Sequence, residues 1–287
     1  MIVSIGVAVN TLNEERNLGF ALRSVRSWVD DIVVVDMHSD DGTAEVARRH
    51  GARVLLHERM GFADPARAFA VEQVRGDWVL ILDADEIVPP ALARRLQEIV
   101  AHDLADVVHI PYQNYFVGAP LRFTFVGLFN DKHARFFKRG ALETSGRVHR
   151  YLRPRPGRRQ LTLPRRPELA MQHFGYLDLE HFAEKIDRYT TIEARQMLDR
   201  GERAGTFRML LATVREFFTH YLRYGGMLDG WRGFSYSAFM AYYYAAKYGK
   251  LRALQTVGDR EDIRERYVRL AESWLAGYEG TKAGEEP

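Results

Sequence analysis

The sequence predicts an α/β protein built on a largely parallel sheet, with a helical extension at its C-terminal end. Three observations carry that reading. Within the first hundred residues, apolar runs alternate four times with stretches of helical periodicity, the pattern of repeated βα units. Three of those runs end on polar or acidic residues, Asn10, Asp36 and Asp83, so their carboxyl ends form one polar rim, where open parallel sheets bind ligands. From residue 178 onward the apolar positions recur mainly at helical spacing.

Taken in order, residues 2–9 read as the first strand, and a helix follows over about 15–28, with Leu18, Leu22 and Val25 on one face. Residues 31–36, D-I-V-V-V-D, form the second strand. The turn Ser39-Asp40-Asp41-Gly42-Thr43 places Asp41 or Thr43 to cap a short helix ending near His50. Residues 52–57 are the third strand, and a helix covers about 64–74. The fourth strand, 78–83, belongs to W-V-L-I-L-D-A-D-E, an apolar run without alternation, as expected of a strand covered on both faces. It meets three carboxylates, Asp83, Asp85 and Glu86, which places its end at an open edge rather than in a core. Two carboxylates two residues apart on extended chain repel unless a cation lies between them, and an oxygen-seeking Mg²⁺ or Mn²⁺ suits that place. Pro89-Pro90 opens a helix to about 101, and 106–111 is a fifth strand. Residues 113–172 are short aromatic runs broken by Pro, Gly and Arg. Helices are expected at about 178–200, 206–224, 233–249 and 260–276, before a polar tail.

The chain has 287 residues, 46 % of them hydrophobic, enough for a sizeable core. It has no cysteine, which excludes disulfides and thiolate metal sites. The N-terminus lacks the basic lead and cleavage pattern of a signal peptide and reads as a strand. The longest strongly apolar stretch, 233–246, has fourteen residues, short of the ~20 that span a bilayer. A cytoplasmic protein without a membrane span is therefore expected.

The net charge of +3 is modest, but its distribution is uneven. Between Arg147 and Arg166 there are eight arginines and no acid, and arginine forks suit a diphosphate or a phosphorylated lipid. Residues 207–252 hold seven Lys/Arg against Glu216 and Asp229, and thirteen of the chain's 34 aromatic residues. There Phe207, Leu210, Leu211, Val214, Phe217, Phe218 and Tyr221 repeat at helical spacing, with Arg208, Arg215 and Arg223 off the stripe. Such a stripe more often faces a core. Its aromatic and basic surroundings point instead to peripheral contact with an anionic membrane, at the inner face of the plasma membrane.

Three segments, V-A-V-N-T-L-N-E-E after the first strand, V-V-V-D-M-H-S-D-D-G-T after the second, and G-D-W-V-L-I-L-D-A-D-E, together resemble glycosyltransferase family 2. These are nucleotide-sugar enzymes of the GT-A, Rossmann-like fold. More narrowly, the chain is similar to the branch containing lipopolysaccharide-core β-glucosyltransferases. The matching elements are Asn114-Tyr115-Phe116, Asp131 before Arg135-Phe136-Phe137, Val148-His149-Arg150, His173 before Lys185, Tyr189 and Thr190, and the Gly226–Gly233 segment G-M-L-D-G-W-R-G. The resemblance spans about residues 3–250. It implies a core over 1–176, with a nucleotide-sugar half to about 111 and an acceptor half over 112–176, and a helical region over 177–287 packed on it.

It also implies an inverting transferase that moves a hexose from a UDP-sugar donor to a glycolipid or oligosaccharide acceptor, with a divalent cation. Asp36 would contact the uracil or ribose, and Asn10, Asn13 and Glu14 would line the nucleotide pocket. Arg67 would approach the base or diphosphate. Asp83 would face ribose and metal, and Asp85 would ligate the metal directly. His149 and His173 would add metal or phosphate contacts, and Arg147 and Arg150 would touch acceptor or phosphate. Ala68 and His38 depart from the family pattern, and Arg150 stands where the branch has a Glu. If that Glu is the general base in relatives, another carboxylate must serve here: Asp131 is favoured, with Glu143 and Glu86 open. Sugar-phosphate nucleotidyl transfer would want a glycine-rich basic loop after the first strand, where this chain has N-T-L-N-E-E. A nucleic-acid-binding module would not place carboxylates such as Asp36 and Asp83 at its strand ends. The sequence leaves a homo-oligomer open.

Overall fold

The computed structural model describes residues 3–59, 64–144 and 152–282. Arg147, His149 and Arg150 lie outside the described residues. Those described fall into two compact units, one of residues up to Leu179 together with Tyr224–Gly233, the other of Glu180–Arg223 and the chain from Phe234 onward.

The first unit is a sheet covered on both faces. Its parallel part comprises β1 (Ile5–Thr11), β2 (Asp31–Asp36), β3 (Arg53–Leu56) and β4 (Trp78–Asp83), in the order β3-β2-β1-β4. After β4 come the two-residue β5 (Glu86–Ile87), the long β6 (Val107–Phe116), β7 (Ala119–Pro120) and β8 (Lys132–Lys138). Next are β9 (Leu142–Thr144) and β10 (Leu152–Pro154), which pair as a separate ribbon, then β11 (Gln160–Thr162) and β12 (Met171–Tyr176). Beyond β4 the sheet continues β8-β6-β12-β5. β8 runs antiparallel between β4 and β6, and β12 is parallel to β6.

The unbroken apolar character of β4 has its reason in two cores. Leu80 and Leu82 face the helices α1 (Leu18–Val25) and α4 (Pro90–Ala101), joining Leu22, Val25, Leu92, Leu96 and Ile99. Val79 and Ile81 point the other way, among Ala66, Ala70 and Val74 on and just after α3 (Asp64–Gln73). Alternate residues thus serve opposite faces. Between β2 and β3 lies α2 (Thr43–Arg49), whose Thr43 N–H donates to Asp41 Oδ1 at 3.1 Å, so Asp41 serves the helix start.

α1 begins at Leu18, three residues later than the periodicity implies. Residues 13–15 are drawn instead onto the loop after β2. Asn13 N donates to Ser39 Oγ (2.8 Å), Asp40 N to Asn13 Oδ1 (2.8 Å), Glu14 N to Thr43 Oγ1 (2.8 Å) and Gly42 N to Glu15 Oε2 (3.0 Å). Asn13 and His38 take left-handed conformations, φ 56° and 58°, in these interlocked turns.

The second unit is helical: α5 (Leu179–Asp199), α6 (Thr206–Phe218), a π-helical turn over Thr219–Arg223, α7 (Gly230–Thr256) and α8 (Arg260–Lys282). The single helix expected over 206–224 therefore ends in a widened turn. Its interior gathers Ala194, Met197, Ala204, Ala212, Tyr248 and Leu251. In α6 the small Ala212 and polar Glu216 are buried, and His220 is buried in the turn that follows, while Phe207, Leu210, Leu211, Val214 and Phe218 are exposed. No helix among the described residues is long and apolar enough to cross a membrane.

Candidate functional site

The polar rim forms at the carboxyl ends of β1, β2 and β4. Register sets Asn10 beside Asp83 and Thr11 beside Asp36. Asp36 is buried, and its Oδ1 accepts from Ser39 N (3.1 Å) and Ser39 Oγ (2.5 Å), which fixes the carboxylate against the turn after β2. Asn10 Oδ1 and Thr11 Oγ1 are buried with no hydrogen-bond partner. Orphaned polar atoms at a sheet edge are places for ligand contacts. The side chains of Asn13 and Glu14 turn inward to the loops: Asn13 holds Asp40 N, and Glu14 Oε2 accepts from Asn17 Nδ2 at 2.7 Å.

Asp83, at the end of β4, is held by two arginines. Its two oxygens face guanidinium groups, Arg67 Nη2 at 2.7 and 3.0 Å and Arg135 Nη2 at 3.0 Å. Arg135 comes from β8, carried beside β4 by antiparallel pairing, and also reaches Glu86 Oε1 at 3.4 Å. Burial would raise Asp83, but Arg135 and Arg67 overwhelm it and hold the carboxyl far below the usual range. Burial pushes Glu86 the other way, up, and Arg135 offsets it only in part. One arginine thus sits between two carboxyls whose proton affinities are driven apart. Arg135 Nη1 is buried without a partner.

Asp85 and His173, which the sequence carries on separate motifs 88 residues apart, come together because β12 pairs with β5, immediately after the Asp85 turn. His173 Nε2 lies 3.3 Å from Asp85 Oδ2. The other ring nitrogen meets Asn114 Oδ1. Asn114 Nδ2 donates to Val126 O (2.6 Å) and Asp131 Oδ2 (2.9 Å), so Oδ1 is its accepting end and His173 Nδ1 must carry a proton. That leaves Nε2 for either a second proton or a cation. Burial lowers the affinity of His173 for that proton, but Asp85 prevails and raises it. Gly175 matters here: a Cβ on it would collide with His173 Nε2 and lie 3.0 Å from Asp85 Oδ2.

A carboxylate oxygen and an imidazole nitrogen 3.3 Å apart are donors of the kind that could hold a divalent cation. No cluster of three His, Asp or Glu side chains able to hold a metal occurs among the described residues. The hydrogen-bonded chain continues from Asn114 to Asp131, whose Oδ1 lies 2.8 Å from His133 Nε2. Asp131 is thereby brought into the same network as Asp85. Glu143 is exposed on the β9–β10 ribbon, opposite Arg153. The described arginines of the basic run are exposed, and Arg159 is bonded to Asp103 and Asp106.

Arg135, Asn114 and Gly175 went unassigned by sequence reasoning, although the first two lie in motifs it singled out. Their signal was chemical mismatch. Arg135 is a charged residue directly before the buried Phe136 and Phe137, and Asn114 is a polar residue in the mostly buried β6.

A parallel sheet with an antiparallel insertion beyond β4, a carboxylate pair at the β4 end and paired loops after β1 and β2 is the architecture of a GT-A glycosyltransferase, an enzyme. The chain belongs to glycosyltransferase family 2, whose model, described as "Glycosyl transferase family 2", matches residues 6–151. It is similar to the lipopolysaccharide core biosynthesis glycosyltransferase LpsC of Rhizobium meliloti, 26% identical over 88% of this chain and 94% of that one. An uncharacterized glycosyltransferase of Rickettsia felis is 25% identical over 86% of this chain and 89% of its own. Among solved structures, glucosyl-3-phosphoglycerate synthase of Mycobacterium tuberculosis, crystallised with Mn²⁺, UDP and glucosyl-3-phosphoglycerate, is 23% identical. That alignment covers 40% of this chain and 44% of the other, with a TM-score of 0.33.

Proposed function

We propose that this enzyme transfers a hexose, of the glucose type, from a UDP-sugar to a hydroxyl of a lipopolysaccharide-core-type glycolipid, with inversion and with a divalent cation. The observation that carries the proposal is the Asp85–His173 pair at the end of β4, with His173 Nδ1 committed to Asn114 and Gly175 leaving room beside Nε2. Asp85 and His173 would hold the cation, which when bound neutralises charge on the departing diphosphate. Asp36 accepts from the uracil ring N–H, and Asn10 and Thr11 supply the unpartnered oxygens along the nucleotide. Arg135 directs its free Nη1 toward phosphate oxygen, and Asp83 keeps Arg135 and Arg67 in place as a positioning residue. Asp131 takes the proton from the attacking acceptor hydroxyl as general base, and Asn114 holds it in register with the cation site. The likeness to LpsC supports a glycolipid acceptor. A lipid-borne acceptor would bring the enzyme to a membrane surface.

Calorimetric titration tests this reading. UDP should bind more tightly with Mn²⁺ present, well above GDP or ADP, and Asp85→Ala should remove the Mn²⁺ dependence while thermal unfolding stays unchanged. Unchanged metal-dependent UDP affinity in the variant would overturn the site. Equal affinity for all three nucleotides would overturn the role of Asp36.

A further inference from the structure

Helix α6 is oriented against the ordinary rule for amphipathic helices. Its buried side carries Ala212 and the polar Glu216, 8% exposed, and His220 in the π-helical turn that follows is 4% exposed. Its apolar positions turn out: Phe207 is 79% exposed, Leu210 57%, Leu211 57%, Val214 54% and Phe218 51%. At about 100° per residue these five fall within a stripe some 100° wide, three turns long. Leu222, in the π-helical turn that follows, is exposed as well. Solvated helices do not gather large side chains in this way without a partner.

The charges beside the stripe select the partner. Arg203, Arg208, Arg215 and Arg223 are all exposed. From Arg203 to Leu228 the only acid is Glu216, and it is buried and bonded to Arg215 at 2.6 Å. Arg208 lies over the Tyr248 ring and Arg215 folds back on Glu216, so both stay at the margins and leave the apolar ridge clear. An isologous contact between two copies of this segment would set arginine against arginine, with no exposed carboxylate among residues 203–228 to answer them. An anionic bilayer answers both features at once, accepting apolar side chains at the acyl boundary and arginines at the phosphate level.

We infer that α6 is a membrane-docking helix, lying in the plane of an anionic lipid surface with Phe207, Leu210, Leu211, Val214 and Phe218 inserted and with Arg203, Arg208 and Arg223 on lipid phosphate. The helix is too short to span a bilayer, so the attachment is reversible. The inference goes beyond glycosyl transfer, since lipid contact by this face needs neither donor nor acceptor, and its test reads no activity.

The experiment is flotation of the full chain with vesicles of phosphatidylcholine alone or with one third phosphatidylglycerol, at low and high salt. The protein should float with the anionic vesicles, stay in solution with the neutral ones, and dissociate as salt rises. The variant Phe207→Gln/Leu211→Gln/Phe218→Gln changes only exposed positions, so it should keep the wild-type circular dichroism and unfolding midpoint while losing binding at least tenfold. A second variant, Arg208→Glu/Arg223→Glu, should lose binding to the same degree and spare the Arg215–Glu216 pair. Failure of the native chain to float with anionic vesicles at low salt would overturn the inference, as would equal binding by the glutamine variant. A native chain that sediments as a dimer, becomes monomeric in the glutamine variant and ignores vesicles would assign the face to a second copy.

Discussion

Replacing Asp229 by alanine tests how the loop that leads to Asp131 is held. The Asp229 carboxylate accepts three successive backbone N–H groups, those of Arg122 (3.0 Å), Phe123 (2.9 Å) and Thr124 (3.1 Å). Asn130, one residue before Asp131, gives its amide to Phe123 O (2.6 Å), Thr124 O (2.9 Å) and Tyr224 O (3.3 Å), fastening the other end of the same loop. The bond to Arg122 is exposed and water can replace it. The other two are partly buried, and hydrogen bonds to a charged acceptor contribute about 1.5–3 kcal/mol each. Because both share one carboxylate, we expect Asp229→Ala to cost about 3–5 kcal/mol, a large part of an ordinary domain's stability. Asp229→Asn keeps one accepting oxygen and should cost about half as much. Urea unfolding followed by tryptophan fluorescence is the assay, since Trp78 is 2% exposed and stacks on Phe136 in the same unit. The midpoint should fall with the slope unchanged. A loss below about 1 kcal/mol for the alanine variant would show that the loop holds itself, and the reasoning would fail.

Three further outcomes follow from the site and its frame. Gly175→Ala should weaken Mn²⁺-dependent UDP binding by at least about tenfold, ~1.4 kcal/mol, by displacing His173 Nε2, and should lower the unfolding midpoint through the same collision; calorimetry with and without Mn²⁺ reads the first effect. Asp131→Asn should lower transfer by about a hundredfold or more, within the range of general-base catalysis, and leave UDP affinity intact; loss of nucleotide binding instead would redirect attention to Glu143 or Glu86. Asp106 is held below the ordinary carboxylate range by hydrogen bonds from Arg159 and Lys138, against the opposing effect of burial. Its folded proton affinity is depressed, so its stabilisation is present above the unfolded value near pH 4 and is lost as pH falls further toward the folded one. Asp106→Asn should therefore flatten the fall in unfolding midpoint on acidification, and parallel acid curves for the two proteins would refute that.

The strands and their polar rim were legible because their signal is local. An apolar run ending in Asn10, Asp36 or Asp83 states both burial and edge within a few residues. What was not legible depends on pairing across the chain. Nothing near Asp83 announces that Arg135, 52 residues on, will arrive on an antiparallel strand and occupy it. His173 reaches Asp85 only through the pairing of β12 with the two-residue β5. The late start of α1 has the same origin: Glu14 and Glu15 suit a helix by composition, but the turn after β2 offers them Thr43 Oγ1 and Gly42 N. In α6 the periodicity identified the apolar stripe but could not say which side of the helix the rest of the bundle would meet. A buried Glu216 beside an exposed Phe207 is a tertiary outcome that amphipathicity alone does not encode.

The carboxylate of Asp229 also governs the order in which the molecule can be made. Tyr224–Gly233 belongs to the first compact unit, although 44 residues of the second, Glu180–Arg223, precede it in the chain. During synthesis the N-terminal strands emerge first and can pair. The loop at 122–124 must wait with three open N–H groups until residue 229 has left the ribosome. A fragment ending at Leu179 would keep the whole sheet and still lack this closure. The first unit is thus sealed late by a segment that arrives after all of α5 and α6, which couples completion of the transferase fold to translation of those helices.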